Sequence, residues 1–294
     1  MANFVLSCES TVDMPLGEIS ARDIGVLFYR YSIDATEYTD DMSQTENGMA
    51  TFYEKLKSGA LAHTSQLNAY QYEEFFEQQL KKGDILHITF GSGMTKSVNN
   101  AFIAAEALSE KYPGRKILVV DSLCSSCGYG MLVSYAADMR DEGKSIDEVK
   151  AWLDANATKV HHQFYSTELD FYRRSGRMSG PASTIATILN ICPLMRLNQE
   201  GSIVAYSKVR GTKAAIDSTV NEMLLHAQNG ADYAGKCFIC HSCCPDKAAK
   251  TREAVLAKFK NLADIPIYEI GAIIGSHCGP GTVAVFFMGD ERPQ

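Results

Sequence analysis

No apolar run in this chain is long enough to cross a bilayer. Its first residues, Met1-Ala2-Asn3-Phe4-Val5-Leu6, enter a strand-like pattern with neither a basic leader nor a small-residue cleavage site, so a cytoplasmic protein is the expectation. Positive charge is scarce too: 28 lysines and arginines stand against 35 aspartates and glutamates, a net charge of −7. That balance argues against a nucleic-acid partner held by phosphate neutralisation. There is no GxSxG elbow to carry a hydrolase nucleophile from strand to helix. Neither a GxxxxGK[ST] loop nor a GxGxxG fingerprint occurs, which removes the common nucleotide-binding readings. Internal repeats, low-complexity tracts and long linkers are absent as well.

What is present is apolar surplus and order. With 294 residues, 46% of them hydrophobic, the chain can bury the core of one large domain or two ordinary ones. Asn3 to Ser7, Ile24 to Ile33, Asp84 to Thr89 and Lys116 to Asp121 read as strands. Met49 to Lys57, Ala69 to Lys82, Lys96 to Tyr112, Gly130 to Asp141 and Ser145 to Ala157 read as helices. This alternation is βαβ grammar and predicts an open, mostly parallel sheet flanked by helices, with ligands at the strand carboxyl ends. A boundary near 158 divides an N-terminal α/β domain, 1–158, from a C-terminal α/β domain, 159–294. The latter has strands at His161 to Ser166, Ile203 to Lys208, Lys236 to His241, Pro266 to Ile270 and Thr282 to Met288, and helices at Thr212 to Gln228 and Pro245 to Phe259.

Two segments gather hydroxyls where the chain hands over to a helix: Thr64-Ser65-Gln66 and Gly91-Ser92-Gly93-Met94-Thr95-Lys96-Ser97. The first amides of a helix lack partners and carry its positive dipole end, so such clusters suit an anion, although Ser and Thr are also ordinary N-caps. The Gly91 and Gly93 pair would let the backbone approach an anion through positive φ. Between 161 and 213 the charge is +4 on a remainder of −11, a basic patch suited to docking or phosphate, or else a solvated face with carboxylates folded against it.

Nine cysteines invite metal and redox readings. Cys124 and Cys127 have thioredoxin-like spacing, and Cys237, Cys240, Cys243 and Cys244 are dense. Yet Cys237 to His241 reads as a buried strand, Cys243-Cys244-Pro245 as a helix start, and no histidine pair completes a finger, so no metal is assigned. Reduced thiols are the simplest account.

Six landmarks follow one another along the chain: Glu9-Ser10-Thr11-Val12-Asp13-Met14-Pro15, Thr64-Ser65-Gln66, Gly91-Ser92-Gly93-Met94-Thr95, Val119-Val120-Asp121-Ser122, Arg174-Ser175-Gly176-Arg177-Met178-Ser179 and Gly275-Ser276-His277-Cys278-Gly279-Pro280-Gly281. Through them the chain resembles the DegV family of bacterial fatty-acid-binding proteins nearly from end to end. The resemblance implies two α/β domains with an acyl chain in a tunnel between them. It also implies a non-catalytic binding subunit that presents the fatty-acid carboxyl to a separate kinase subunit for acyl-phosphate formation, in phospholipid metabolism. Transient membrane contact is compatible with that role. By the same resemblance Thr64 and Thr95, with Ser65 and Ser92, bind the carboxylate, Arg177 and His277 form the polar network behind it, and Lys208, Arg210 and Lys213 dock the kinase or its phosphate. Leu67-Asn68, Gly91 and Lys96 depart from the family pattern, and Lys96 either adds charge beside the site or points into water.

Physics is consistent with a lipid acid and no other cofactor. A buried carboxylate needs hydrogen bonds, each charge-assisted one contributing roughly 1.5–3 kcal/mol. A C16 tail at about 0.8 kcal/mol per CH₂ adds on the order of 10 kcal/mol before ordering losses. Ile185, Ile188, Leu189, Ile191 and Leu194 form a segment too apolar for a loop and are candidate tunnel walls, with ordinary helix core as the plainer reading. Gly176 beside Arg177 suggests a turn aiming the guanidinium inward. His277 stands among too many glycines for a helix or regular strand and reads as a loop histidine able to donate from both nitrogens when charged. A lipid-responsive regulator is the main alternative, a cysteine-based metal or redox protein the lesser one.

Overall fold

The computed structural model describes residues 4–42, 48–177 and 190–294. Its first sheet takes β1 (Phe4–Glu9), β2 (Ile24–Leu27), β6 (Asp84–Thr89) and β7 (Ile117–Asp121) in the order β2-β1-β6-β7, all parallel. β1 and β6 are apolar and buried on both faces, as a sheet covered by helices on either side demands. The helices are α1 (Leu16–Ala21), α2 (Gly48–Lys57), α3 (Ala69–Leu80), α4 (Ser97–Lys111), α5 (Ser126–Asp141) and α6 (Ile146–Asn156). Capping boxes start α3 at Asn68/Gln71 and α6 at Ser145/Glu148, satisfying amides that the helix itself leaves open.

The expected strand from Ile24 to Ile33 is broken. Its second half, β3 (Arg30–Ile33), leaves the parallel sheet and pairs with β4 (Thr36–Thr39) and β5 (Ala62–Ser65) in a small antiparallel sheet ordered β4-β3-β5. Tyr31 pairs with Thr64 in that sheet, so the break carries the first hydroxyl segment away from the main sheet.

Six later strands form a third sheet, β10-β9-β8-β13-β11-β12, in which only β11 and β12 are parallel. They are β8 (Val160–Ser166), β9 (Ile191–Leu197), β10 (Ile203–Arg210), β11 (Cys237–His241), β12 (Ile267–Glu269) and β13 (Thr282–Met288), accompanied by α7 (Asp170–Ser175), α8 (Thr212–His226), α9 (Pro245–Lys258) and α10 (Ala272–Cys278). β9 is a strand the periodicity did not announce, because a strand buried along its whole length shows no alternation. Ile191 and Leu194 therefore sit in a sheet and not in a helix, whereas Ile185, Ile188 and Leu189 lie outside the described residues.

α5 is the hinge of the packing. It is wedged between the parallel sheet and the third sheet, and its buried Met131, Leu132 and Val133 belong to one continuous core with Leu6 and Val120 on one side and Val285 and Phe286 on the other. Cys127 near its start is joined in a disulfide to Cys240 on β11, 113 residues away. The expectation of reduced thiols fails for these two, and Cys127 does not pair with Cys124, whose buried thiol donates to the Ala157 carbonyl. The fold brings up a partner 113 residues away that no local spacing announces.

Candidate functional site

Where β6 and β7 end, the chain must turn while its last amides and carbonyls find partners. After β6, Phe90 N donates to the buried Glu9 carboxylate at 2.9 Å, which also accepts from Tyr72 and lies 3.5 Å from His87 Nε2. This carboxylate ties the ends of two strands to α3. After β7, Ser122 Oγ accepts from Cys124 N at 3.1 Å, and Gly91 N donates to the Cys124 carbonyl at 3.0 Å, clasping the two loops together. Gly91 and Gly93 do not adopt positive φ. They are glycines because a Cβ on Gly91 would lie 2.7 Å from Cys124 N, and one on Gly93 2.4 Å from the Gly201 backbone, which belongs to the β9–β10 turn. The pair serves close packing of the two halves and not an anion-binding backbone curve.

Between those loops and the third sheet lies a cavity enclosing about 1010 Å³ of atom-free space, its mouth included. Most of its wall is apolar: Phe90, Met94, Phe164, Leu197, Ile203, Ile270, Ile273, Ile274, Ala284 and Phe286. Ile191 and Leu194 are not among its lining residues, and Leu194 instead fills the core.

Polar groups converge on part of the wall. Thr64 Oγ1 lies 2.8 Å from His277 Nε2, joining β5 to α10, and both line the cavity with Ser65, Thr95 and Arg177. Thr95 Oγ1, just before the N-cap, accepts from Ser97 N at 3.1 Å, the first amide of the 15-residue helix α4. Arg177 Nη1 donates to the Ser175 carbonyl at 2.6 Å, which fixes the guanidinium close to the site. Burial, reinforced by the Arg177 charge, pushes His277 down to about 4, so the imidazole is neutral at pH 7. Tyr29, 2% exposed, adds a hydroxyl near Thr95 and Ser97 that meets no group among the described residues in hydrogen-bond geometry.

His277 stands in the last turn of α10, so the expectation of a glycine-rich loop is corrected. The glycines are the helix's punctuation: Gly271 is its N-cap, Gly279 with φ +63 ends it, and Gly275 lies inside where a Cβ would meet Tyr53 Oη at 2.7 Å. Ser92 also falls elsewhere: it is exposed, donates its amide to Asp121, and does not line the cavity. Lys96 is exposed as the N-cap of α4 and does not line it either. Lys208 and Arg210 are exposed on β10, an edge strand, and Lys213 pairs with Asp217 at 2.8 Å on α8. Unanticipated were Ser125, Ser126 and His162, which line the cavity where α5 meets β8. The serine-rich turn after β7 signalled the first two, but its cysteines drew the attention.

α10 is held by two buried acids. Asp13 accepts from Gly271 N at 2.9 Å and from Ser126 Oγ at 2.5 Å, and Asp40 bonds the Ala272 amide. Burial pushes Asp13 up to about 8 and Asp40 up to about 7, from an ordinary 3.8. Their contribution to stability is whole below that ordinary value and is lost as pH rises through about 7 and 8. His277 runs the other way, contributing above its ordinary 6.5 and losing it as pH falls toward about 4. The melting temperature is therefore expected to fall as pH rises from about 6 to 8.5, and Asp13→Asn, which can keep both hydrogen bonds, should flatten that fall. A slope unchanged by Asp13→Asn in a thermal-melt series would assign the dependence to other groups.

Residues 4–290 match the family described as "Uncharacterised protein, DegV family". A DegV domain-containing protein of Clostridium perfringens is 37% identical over 293 residues, 99% of each chain. Among solved structures, a DegV family protein from Thermus thermophilus, whose structure is described as one of fatty-acid binding, superposes with a TM-score of 0.85 at 25% identity, over 98% of this chain and 99% of that one. A fatty acid binding DegV family protein from Streptococcus agalactiae superposes at 0.82, also with 25% identity, over 99% and 100%. No described helix is long and apolar enough to cross a membrane.

Proposed function

The chain belongs to the DegV family, and from that premise we propose that it is a cytoplasmic binding protein for a long-chain fatty acid. The carboxylate would rest against Thr64, Thr95 and His277, with Ser65, Arg177 and the Tyr29 hydroxyl around it. The tail would run along the wall formed by Phe164, Leu197, Ile203, Ala284 and Phe286. The observation that carries this reading is a cavity whose wall is mostly apolar, with Thr64, Ser65, Thr95, Arg177 and His277 set into it. That is the shape of a lipid acid: the head needs donors, because an unpaired carboxylate is costly to bury, and the tail needs only removal from water. A neutral His277 suits the role, since it can hydrogen-bond a carboxylate without first being stripped from another charge. Native mass spectrometry of freshly purified protein, followed by solvent extraction, tests the proposal. One fatty acid per chain is expected, and absence of acyl ligand together with no uptake on titration would overturn it.

The same residues support presentation of the head group to a kinase subunit. Thr64, Ser175, Arg177 and His277 line both the main cavity and a second, outer one shared with His63, Arg174 and Ser276. A carboxylate held there would be covered by lipid wall on one side and reachable from the other. Lys208 and Arg210 on the exposed edge of β10 would supply the docking charge. Reversing both, Lys208→Glu with Arg210→Glu, is expected to cut acyl-phosphate formation by the cognate kinase about tenfold or more while fatty-acid affinity stays unchanged. Equal acyl-phosphate yields would move the docking surface elsewhere.

A further inference from the structure

β8 sends successive side chains to opposite faces. His162 faces the lipid cavity, and its neighbour His161 faces away, beneath α8. There His161 is stacked between Phe287, with centroids 5.1 Å apart, and His226 at the end of α8, 4.9 Å away. The carboxylate of Asp290, just past β13, closes the group. Its Oδ1 lies 3.0 Å from His161 Nε2 and 3.0 Å from His226 Nδ1, and the three ligand atoms are all within 4.8 Å of one another.

We infer that His161, His226 and Asp290 form a binding site for one divalent transition-metal ion of the zinc class. Two imidazole nitrogens and one carboxylate oxygen are a donor set that suits Zn²⁺ and its neighbours, leaving a fourth position for water. With metal–ligand bonds of about 2.0–2.1 Å, tetrahedral ligands sit roughly 3.3 Å apart, close to the two carboxylate–imidazole spacings, and the stacked His226 ring at the end of α8 would turn out of the stack to aim Nδ1 at the ion. Outside the ligands, Glu222 Oε2 lies 3.7 Å from His226 Nε2, which leaves Nδ1 for a metal. Glu222 in turn faces Arg196 Nη1 at 3.9 Å. Arg292, a buried cation nearby, donates to the carbonyls of Val160 and Leu123. His161 is 1% exposed, so its place in the site is fixed by packing. Asp290 is 61% exposed in its side chain and opens the site to solvent.

The ligands come from a strand, a helix end and the segment after the last strand, so an ion would pin the chain's final stretch to β8 and α8. Binding through Nε2 would place the neutral ring's one proton on Nδ1 and give up the contact that Nε2 makes with the Asp290 carbonyl at 3.0 Å. Protein stripped with a chelator and titrated with Co²⁺ alone, followed by visible absorption and calorimetry, tests the inference. The expected result is one equivalent bound with a tetrahedral d–d spectrum, no thiolate charge-transfer band, and displacement by Zn²⁺. His226→Ala and Asp290→Asn, checked for folding by their metal-free melts, should each weaken binding about a hundredfold or more, and Glu222→Gln about tenfold. Lack of Co²⁺ binding, binding that survives both ligand substitutions, or a thiolate band abolished by Cys243→Ser would each overturn it.

Discussion

Replacing Thr64 and Thr95 together by valine is expected to weaken long-chain fatty-acid binding by about 10²–10⁴-fold, because each removes a donor to a buried carboxylate worth roughly 1.5–3 kcal/mol. Valine keeps the volume of threonine, so the tail's contribution is preserved and the loss reports the head group alone. The two positions differ in what else they hold. Thr64 is bonded to His277 at 2.8 Å, so its loss also frees the imidazole. Thr95 holds the first amide of α4 through Ser97 N, so its loss also leaves that amide without this partner. The single variants should therefore be separable: Thr64→Val lowers affinity with little change in melting temperature, whereas Thr95→Val lowers both. Ser92→Ala is the control, since that hydroxyl belongs to the same sequence segment but faces solvent. Titration with a fluorescent or isotopically labelled fatty acid measures all four proteins. A double variant no weaker than Ser92→Ala would remove the hydroxyl corner from the binding site.

That comparison also marks what could be read from the residues. Thr64 and Thr95 announced themselves because hydroxyls clustered before helices are a local pattern, and local patterns survive in one dimension. The parallel sheet was legible for the same reason: β1, β6 and β7 are short apolar runs separated by helical periodicity. Ser92 carries the same local signal as Thr95, yet the Gly91 turn points it outward, a distinction set by contacts with Cys124 some thirty residues on.

Long-range relations were the part that stayed hidden. Glycines around His277 looked like a loop because the sequence does not say that Gly271 meets Asp13, or that Gly275 lies against Tyr53. Cys127 read as a reduced thiol because only the fold brings β11 and its Cys240 against α5. Tyr29 read as one more strand residue until the β2–β3 break placed its hydroxyl beside Thr95 and Ser97. In each case a residue's type was visible, and its neighbour was not.

The largest structural effect should come from a residue with no side chain at all. Gly128→Ala is expected to destabilise the protein by about 3 kcal/mol or more, lowering the melting temperature by roughly 5–12 °C. A Cβ at that point would lie 2.2 Å from His162 Nε2 and 2.6 Å from Cε1. The ring cannot turn aside cheaply, because Nε2 accepts from Ser125 N at 3.1 Å and Nδ1 donates to the Val160 carbonyl at 3.0 Å. Strain must therefore pass into the backbone of α5 or β8, the two elements that bring the halves of the molecule together. Both Ser125 and His162 line the cavity proposed for the fatty acid, so the same displacement should weaken fatty-acid binding. A double-mutant cycle with His162→Ala isolates the cause: removing the ring should relieve the clash, and the double variant should be less destabilised than the sum of the single ones by about 1 kcal/mol or more. Strict additivity would instead mean that Gly128 is required by the helix path itself and not by its contact with His162.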